Sequence, residues 1–98
     1  MSVARTILEQ LGGNQFSMMT GAKNFVGSEN SLSFKIGRNH ASVNAIHIEY
    51  EVGSDTYNIE FLRVSVRGRK VVREVSGAYF SDLRPLFETV TGMRTKLF

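Results

Sequence analysis

The sequence predicts an α+β fold in which residues 1–98 form a single two-layer domain. The predicted layers are an antiparallel sheet of about five strands and, on its apolar face, an N-terminal and a C-terminal helix. Three observations lead to this fold. Apolar residues recur at helical spacing in the first and last segments, apolar and polar residues alternate between them, and short glycine-containing turns separate the alternating segments.

The first helix is predicted over residues 2–11. Its apolar positions form one stripe, at Val3, Ala4, Ile7, Leu8 and Leu11. Ser2 can cap the N-terminus of this helix. Gly12 or Gly13 can adopt the left-handed conformation that ends a helix. These two glycines are therefore expected to end the helix rather than to bind a ligand. Gly21 and Gly27 lack both the spacing and the Lys-Ser/Thr pair of a phosphate-binding loop.

The next segments alternate extended stretches with turns. Strands are predicted at residues 15–20 (QFSMMT) and 32–36 (LSFKI), and extended structure is also expected at residues 25–26. The intervening segment GSENS is rich in turn-forming residues, and residues 37–44 (GRNHASVN) form a polar loop.

Two further strands can be placed in register with each other. Apolar and polar residues alternate over residues 46–52 and again over residues 57–61. A two-residue type II′ loop at Gly53-Ser54 gives a favourable pairing, because a longer loop would place two glutamates opposite each other. The predicted pairs are Tyr50–Tyr57, Ile48–Ile59 and Ile46–Phe61 on the apolar face, with His47–Glu60 and Glu49–Asn58 on the polar face.

A second hairpin is predicted at RGRK, residues 67–70. With Gly68-Arg69 as its loop, Val66 lies opposite Val71, and Arg63 lies opposite Glu74. Just before this hairpin, the alternation of apolar and polar residues along the strand shifts by one position. Either a β-bulge lies near residues 61–63, or both faces of the strand are covered there.

The closing helix is predicted over residues 78–91, and Gly92 can end it. Its apolar stripe contains Tyr79, Leu83, Leu86, Phe87 and Val90. Pro85 has no amide hydrogen and its ring clashes with the preceding helical turn. The helix is therefore expected either to begin near Ser81-Asp82 or to be kinked.

Positive charge is concentrated in one part of the chain. The formal net charge is +3 at pH 7, and residues 1–52 contribute nothing to it, because their basic and acidic residues balance. Five basic residues lie between positions 63 and 73, namely Arg63, Arg67, Arg69, Lys70 and Arg73. Such a cluster is typical of a site for an anionic partner. The competing interpretation is a solvated hairpin tip whose charges protect a sheet edge.

Several classes of chemistry are disfavoured by composition and spacing. The chain has no cysteine, which excludes disulfides and thiolate metal sites, and it has no strand-turn-helix serine motif. His47, Glu49 and Glu51 share one face of a predicted strand, with Glu60 across the hairpin, and all four are ligand types for Mg²⁺ or Zn²⁺. No lysine follows them at nuclease spacing, however, and any solvent-facing hairpin shows the same pattern. The sequence therefore predicts no catalytic residue, no metal site and no cofactor. A divalent-metal hydrolase that uses His47, Glu49 and Glu60 is the enzyme alternative.

Several blocks of the sequence carry a resemblance to a known family. The segments ILEQLGGNQF, MTGAKNF, SLSFKI, DTYNIEF and VTGM resemble a family of small uncharacterised proteins of bacteriophages, prophages and other mobile elements. The resemblance implies a phage accessory protein in the cytoplasm of a bacterial host. It implies no particular activity, cofactor or site residue.

The predicted function is a non-catalytic binding module. The first hypothesis is binding to nucleic acid, or to a host nucleoprotein complex, through the five basic residues. The alternative is an anti-defence protein, such as an anti-CRISPR inhibitor, that binds a host protein through apolar residues such as Phe80, Met93, Leu97 and Phe98. A homodimer is also possible, because Leu62, Val64 and Val66 form an apolar strand face that a second copy of the chain could cover. No signal peptide or membrane span is predicted.

Overall fold

Five strands and three α-helices account for most of the chain. The computed structural model describes residues 3–37, 39 and 41–93, apart from the side chain of Phe80. The elements are α1 (Val3–Leu11), α2 (Gly13–Thr20), β1 (Lys23–Gly27), β2 (Ser31–Lys35), β3 (Ala45–Glu51), β4 (Thr56–Ser65), β5 (Gly68–Ala78) and α3 (Leu83–Thr91), with a 3₁₀ turn at Phe80–Asp82. The strands form one antiparallel sheet in chain order, β1-β2-β3-β4-β5. This confirms the predicted α+β fold.

The helices cover one face of the sheet, here called the inner face. Phe16 of α2 lies at the centre of the core, with its ring centroid 5.5 Å from that of Phe34 in β2 and 4.9 Å from that of Phe87 in α3. The inner face is lined by alternate strand residues, namely Leu32, Phe34, Ile46, Ile48, Ile59 and Phe61, all of them buried. The opposite, outer face carries their polar neighbours along each strand.

The prediction of a strand at residues 15–20 is wrong, because this segment forms most of α2. Phe16 and Thr20, four residues apart, are both buried, whereas Met18 between them is 84% exposed. The Thr20 hydroxyl donates a hydrogen bond to the Phe16 carbonyl at 2.8 Å, and Gly21 ends the helix with a φ of 69°. Alternating residues suggested a strand, but burial follows the helical spacing, because Phe16 packs against Phe34 of the sheet and Phe87 of α3.

The predicted register of β3 and β4 is confirmed at every pair, from Tyr50 opposite Tyr57 to Ile46 opposite Phe61. The turn itself differs from the prediction. The strands end at Glu51 and Thr56, so the loop contains four residues, and its positive φ is at Asp55, at 54°, rather than at the glycine. Register and turn type are thus separable, because side-chain pairing along the strands determines the register.

The predicted register of β4 and β5 is wrong. Leu62, rather than Val66, lies opposite Val71, and Arg63 lies opposite Lys70. Val66 and Arg67 form the turn, and Gly68 follows with a φ of 122°, a region that favours glycine. Both of the alternatives considered for the shift in apolar pattern are found, since a bulge is present and the consecutive residues Phe61 and Leu62 are both buried. The register shifts between Phe61 and Leu62, which leaves Val72 as the extra residue on β5.

The C-terminal helix begins later than residue 78. A 3₁₀ turn precedes α3, so Pro85 lies in the first turn of the helix. Backbone amides in the first turn form no hydrogen bond within the helix, so a proline is tolerated there. Tyr79 is exposed rather than part of the buried stripe, whereas Leu83 and Phe87 are buried as predicted. No helix in the described ranges is long and apolar enough to span a bilayer.

Candidate nucleic-acid interface

The β4–β5 hairpin extends beyond the part of the sheet that the helices cover. Every residue from 63 to 74 is exposed, and this segment is called the hairpin tip. The last inner-face residue of β4 in the core is Phe61, which is fully buried. All five basic residues predicted as a site lie on this exposed tip.

The register divides the five basic residues between the two faces. Arg63 lies opposite Lys70, and Arg73 lies opposite Phe61, which places all three on the inner-face side. Arg69 lies opposite Val64 on the outer face, and Arg67 is in the turn. The structure therefore assembles three of the predicted residues, Arg63, Lys70 and Arg73, into one surface, here called the basic face.

The basic face has no acidic partner among the described residues. Arg63 and Lys70 are directly opposed like charges, an arrangement that is unfavourable in an isolated sheet. Neither residue, nor Arg73, forms an ion pair with a described carboxylate. Arg63 is held instead by a neutral acceptor, because its Nε donates to the Ser42 carbonyl at 3.2 Å. Positive charge is thus concentrated here without internal compensation.

Arg69 has a different environment on the outer face. Its Nη2 lies 3.3 Å from Glu60 Oε1, and Glu74 lies directly opposite Glu60 on β5. The carboxylates balance this arginine locally. Arg69 is 60% exposed, so the ion pair contributes little to stability, but it distinguishes the outer face from the basic face electrostatically.

A pocket of about 560 Å³ lies next to Arg63. Its described lining contains Ile36, Gly37, Asn39, Ser42, Val43, Asn44 and Arg63. Most of these residues belong to the loop between β2 and β3. The pocket therefore lies where this loop meets the base of the hairpin tip.

Two asparagines hold the pocket loop in shape. The Asn39 amide donates to the carbonyls of Gly37 and Val43, and its oxygen accepts from the backbone amides of Ala41 and Val43. Asn44 bonds both backbone groups of Val64, at 2.7 and 2.8 Å, which ties the loop to β4. This pocket was not predicted from the sequence. The available signal was the pair of asparagines in GRNHASVN, since asparagine commonly organises turns through its side chain.

The outer face brings together part of the set considered for a metal. His47 lies opposite Glu60 as predicted, and its Nδ1 is 2.6 Å from the Ser33 hydroxyl. Its Nε2 lies 3.7 Å from Glu49 Oε1. Within residues 3–37, 39 and 41–93, no three acidic or histidine side chains are grouped closely enough to hold a metal ion.

The apolar residues proposed for protein binding are only partly described. Met93 is half-buried and packs against the core, whereas Leu97, Phe98 and the Phe80 side chain lie outside the described part of the structure. Other apolar side chains are exposed instead. On the outer face, Val26, Val64 and Val71 are 65%, 40% and 46% exposed.

No family model, curated protein or solved structure matches the chain significantly.

Proposed function

We propose that the protein is a non-catalytic module that binds nucleic acid, free or within a nucleoprotein complex, through the basic face. The observation that carries the proposal is the direct opposition of Arg63 and Lys70 without a carboxylate partner. A phosphate between two such side chains accepts charge-assisted hydrogen bonds from both and relieves their repulsion. Arg73 extends the same surface along β5.

The competing interpretation is that the charges only protect an edge strand. β5 is at the edge of the sheet, and basic side chains on such strands discourage pairing with other chains. This role does not depend on which face a charge occupies. Nucleic-acid binding does depend on the face that a charge occupies. Substituting one basic residue on each face therefore separates the two interpretations.

The test compares Lys70→Gln with Arg69→Gln. Both substitutions remove one positive charge from neighbouring exposed positions, but from opposite faces. We expect Lys70→Gln to weaken binding of a labelled mixed-sequence oligonucleotide about tenfold at low salt, because one charge-assisted contact is lost. It should also reduce the slope of log K against log salt by about 0.7 to 0.9. Arg69→Gln should change affinity less than about twofold, as for most surface substitutions.

Fluorescence anisotropy titrations over a range of salt concentrations measure both quantities, and thermal melting checks that both variants are folded. Equal effects of the two substitutions would show that the basic face has no special role. Absence of oligonucleotide binding by the unmodified protein at low salt would rule out the proposal.

The second candidate function is an anti-defence inhibitor that binds a host protein. The observation in its favour is the group of exposed valines on the outer face, Val26, Val64 and Val71, around the buried Leu62. Apolar contact of this kind gives binding that depends weakly on salt. An affinity pulldown from bacterial lysate, with and without nuclease, distinguishes the candidates. A stoichiometric protein that survives nuclease supports the inhibitor, and proteins that disappear after nuclease support nucleic-acid binding.

The biological setting is part of the same proposal. The resemblance to small phage and prophage proteins supports action in the cytoplasm of a bacterial host, where both nucleic acid and defence complexes are available. Mass spectrometry of infected cells, with fractionation of lysate and membranes, tests this assignment. Recovery of the protein mainly in the membrane fraction would contradict it.

A further inference from the structure

We infer that the nucleic acid on the basic face is a single strand, and that one of its nucleotides enters the pocket beside Arg63. The inference rests on the proposed function and specifies its ligand. Three observations support it: the one-sided distribution of charge on the hairpin, the position of the Arg63 guanidinium, and the hydrogen-bonding state of the pocket side chains.

The charge distribution favours one phosphate backbone over two. A β-ribbon in the groove of a duplex lies between two phosphate backbones. On this hairpin, one side carries Arg63, Lys70 and Arg73, but the other side carries Glu60 and Glu74 behind Arg69. Phosphate contacts are thus offered along one surface only, and a base can enter the adjoining pocket only when it is unpaired and unstacked. A single strand lying along the basic face satisfies both conditions.

Arg63 connects the basic face to the pocket. Its Nε donates to the Ser42 carbonyl, which orients the guanidinium at the pocket wall. Its two terminal nitrogens, which are donors, have no carboxylate partner among the described residues. A phosphate bound by these nitrogens and by Lys70 would place its attached nucleoside at the pocket. The volume of about 560 Å³ lies within the range of small-ligand pockets.

The two asparagines of the described pocket lining are already engaged within the fold. Asn39 uses its amide and its oxygen within the loop, and Asn44 uses both of its groups on Val64. The remaining described lining includes the apolar side chains of Ile36 and Val43, together with Ser42 and Arg63. We therefore expect shape and apolar contact to contribute more than hydrogen bonds to the accommodation of a base. Binding is expected to tolerate changes in base sequence.

The experiment uses a matched pair of substitutions at Ser42. This residue is exposed at the pocket wall and has a φ of 57°, which asparagine and aspartate both tolerate. Ser42→Asp adds a carboxylate beside Arg63 that competes with phosphate, whereas Ser42→Asn adds an uncharged group of the same shape. Anisotropy is measured with a single-stranded oligonucleotide of mixed sequence, with homopolymers of each base, and with the corresponding duplex.

We expect Ser42→Asp to weaken single-strand binding about tenfold or more, and Ser42→Asn to change it less than about twofold. The unmodified protein should bind the duplex about tenfold more weakly than the single strand, and the homopolymers with similar affinities. Ser42→Asn also serves as the control for folding, because the two variants differ only in charge at this site.

The outcomes separate this inference from the proposed function. If Lys70→Gln weakens binding while the two Ser42 variants bind equally, the pocket is not used and the basic face still is. If the duplex binds as tightly as the single strand, the ligand assignment is overturned. If the unmodified protein binds no oligonucleotide at low salt, the proposed function fails together with the inference.

Discussion

Asp55 shows how one side chain affects both a turn and the ionisation of its neighbours. It adopts a φ of 54° in the loop after β3, and its Oδ1 accepts a 2.5 Å hydrogen bond from the Tyr50 hydroxyl. This bond, together with burial and the negative charge of the carboxylate, raises the pKa of Tyr50 above its ordinary value. Burial, followed by the same negative charge, also raises the pKa of Tyr57.

Stability is therefore expected to fall in alkaline solution. The folded state holds the phenol protons more tightly than the unfolded chain does, so this contribution is fully present below a pH of about 10. It decreases as the pH rises from there through the folded pKa values, since the unfolded chain loses its protons first. Denaturant unfolding of the unmodified protein and of Asp55→Asn over this range measures the effect.

Asp55→Asn is a suitable test because asparagine also tolerates a positive φ. It removes the charge and should lower the pKa values of both tyrosines toward the ordinary value, which makes the alkaline loss of stability smaller. Tyr50→Phe measures how much of the alkaline loss of stability comes from Tyr50. Identical phenolate absorbance titrations for Asp55→Asn and the unmodified protein would contradict the assigned role of the carboxylate.

The site residues illustrate what a sequence can and cannot determine at this scale. Composition was sufficient to identify Arg63, Lys70 and Arg73 as members of a basic cluster. It could not separate them from Arg69, because the face of each residue depends on the register of β5 and on the bulge at Val72. The role of Asn39 was also inaccessible, since its four hydrogen bonds depend on the path of an irregular loop.

At the scale of the elements, the helical conformation of α2 leads to a testable prediction about the exposed side chain of Met18. Met18 is 84% exposed on this helix, whereas a strand at the same place would direct it to the side of Phe16 and Thr20. Met18→Lys should therefore change the free energy of unfolding by less than about 0.5 kcal/mol. The measurement is denaturant unfolding followed by circular dichroism.

Met19→Lys is the matched control for this experiment, because the neighbouring methionine is half-buried. The same substitution there should destabilise the protein by about 1 kcal/mol or more, as burying an unpaired charge is costly. The assignment of α2 would be wrong if Met18→Lys were the more destabilising of the two.

The two hairpins explain why one register was predictable and the other was not. For β3 and β4, every apolar residue pairs with an apolar one, and avoiding opposed glutamates selects a single register. For β4 and β5, the attractive pair of Arg63 and Glu74 suggested a register that the structure does not adopt. The observed pairing instead places Val75 opposite Ile59 on the inner face. Glu60 and Glu74 are then opposed, and Arg69 partly offsets their repulsion.

At the scale of the whole molecule, Phe16 is the residue that joins the layers. Its side chain is fully buried, and its ring contacts those of Phe34 and Phe87 edge to face. Phe16→Ala should reduce the free energy of unfolding by about 3 to 5 kcal/mol. This is a large part of the roughly 5 to 15 kcal/mol typical of a domain of this size. The expected decrease in melting temperature is about 12 °C or more.

Phe16→Leu is the control, because it retains an apolar side chain and should be less destabilising. Differential scanning calorimetry measures both variants. A decrease of only about 2 or 3 °C for Phe16→Ala would show that the layers are held together elsewhere.

The chain order of the strands has a consequence for how the domain folds. Each strand pairs only with its neighbours in sequence, so the sheet can grow by successive local hairpins, which favours rapid folding. The contact between α1 and α3 is different, because these helices are far apart in sequence. Bringing them together directly from the unfolded chain would close a long loop at an entropic cost. Once the sheet has formed, however, it already spans that loop, and the remaining cost of docking the helices is correspondingly small.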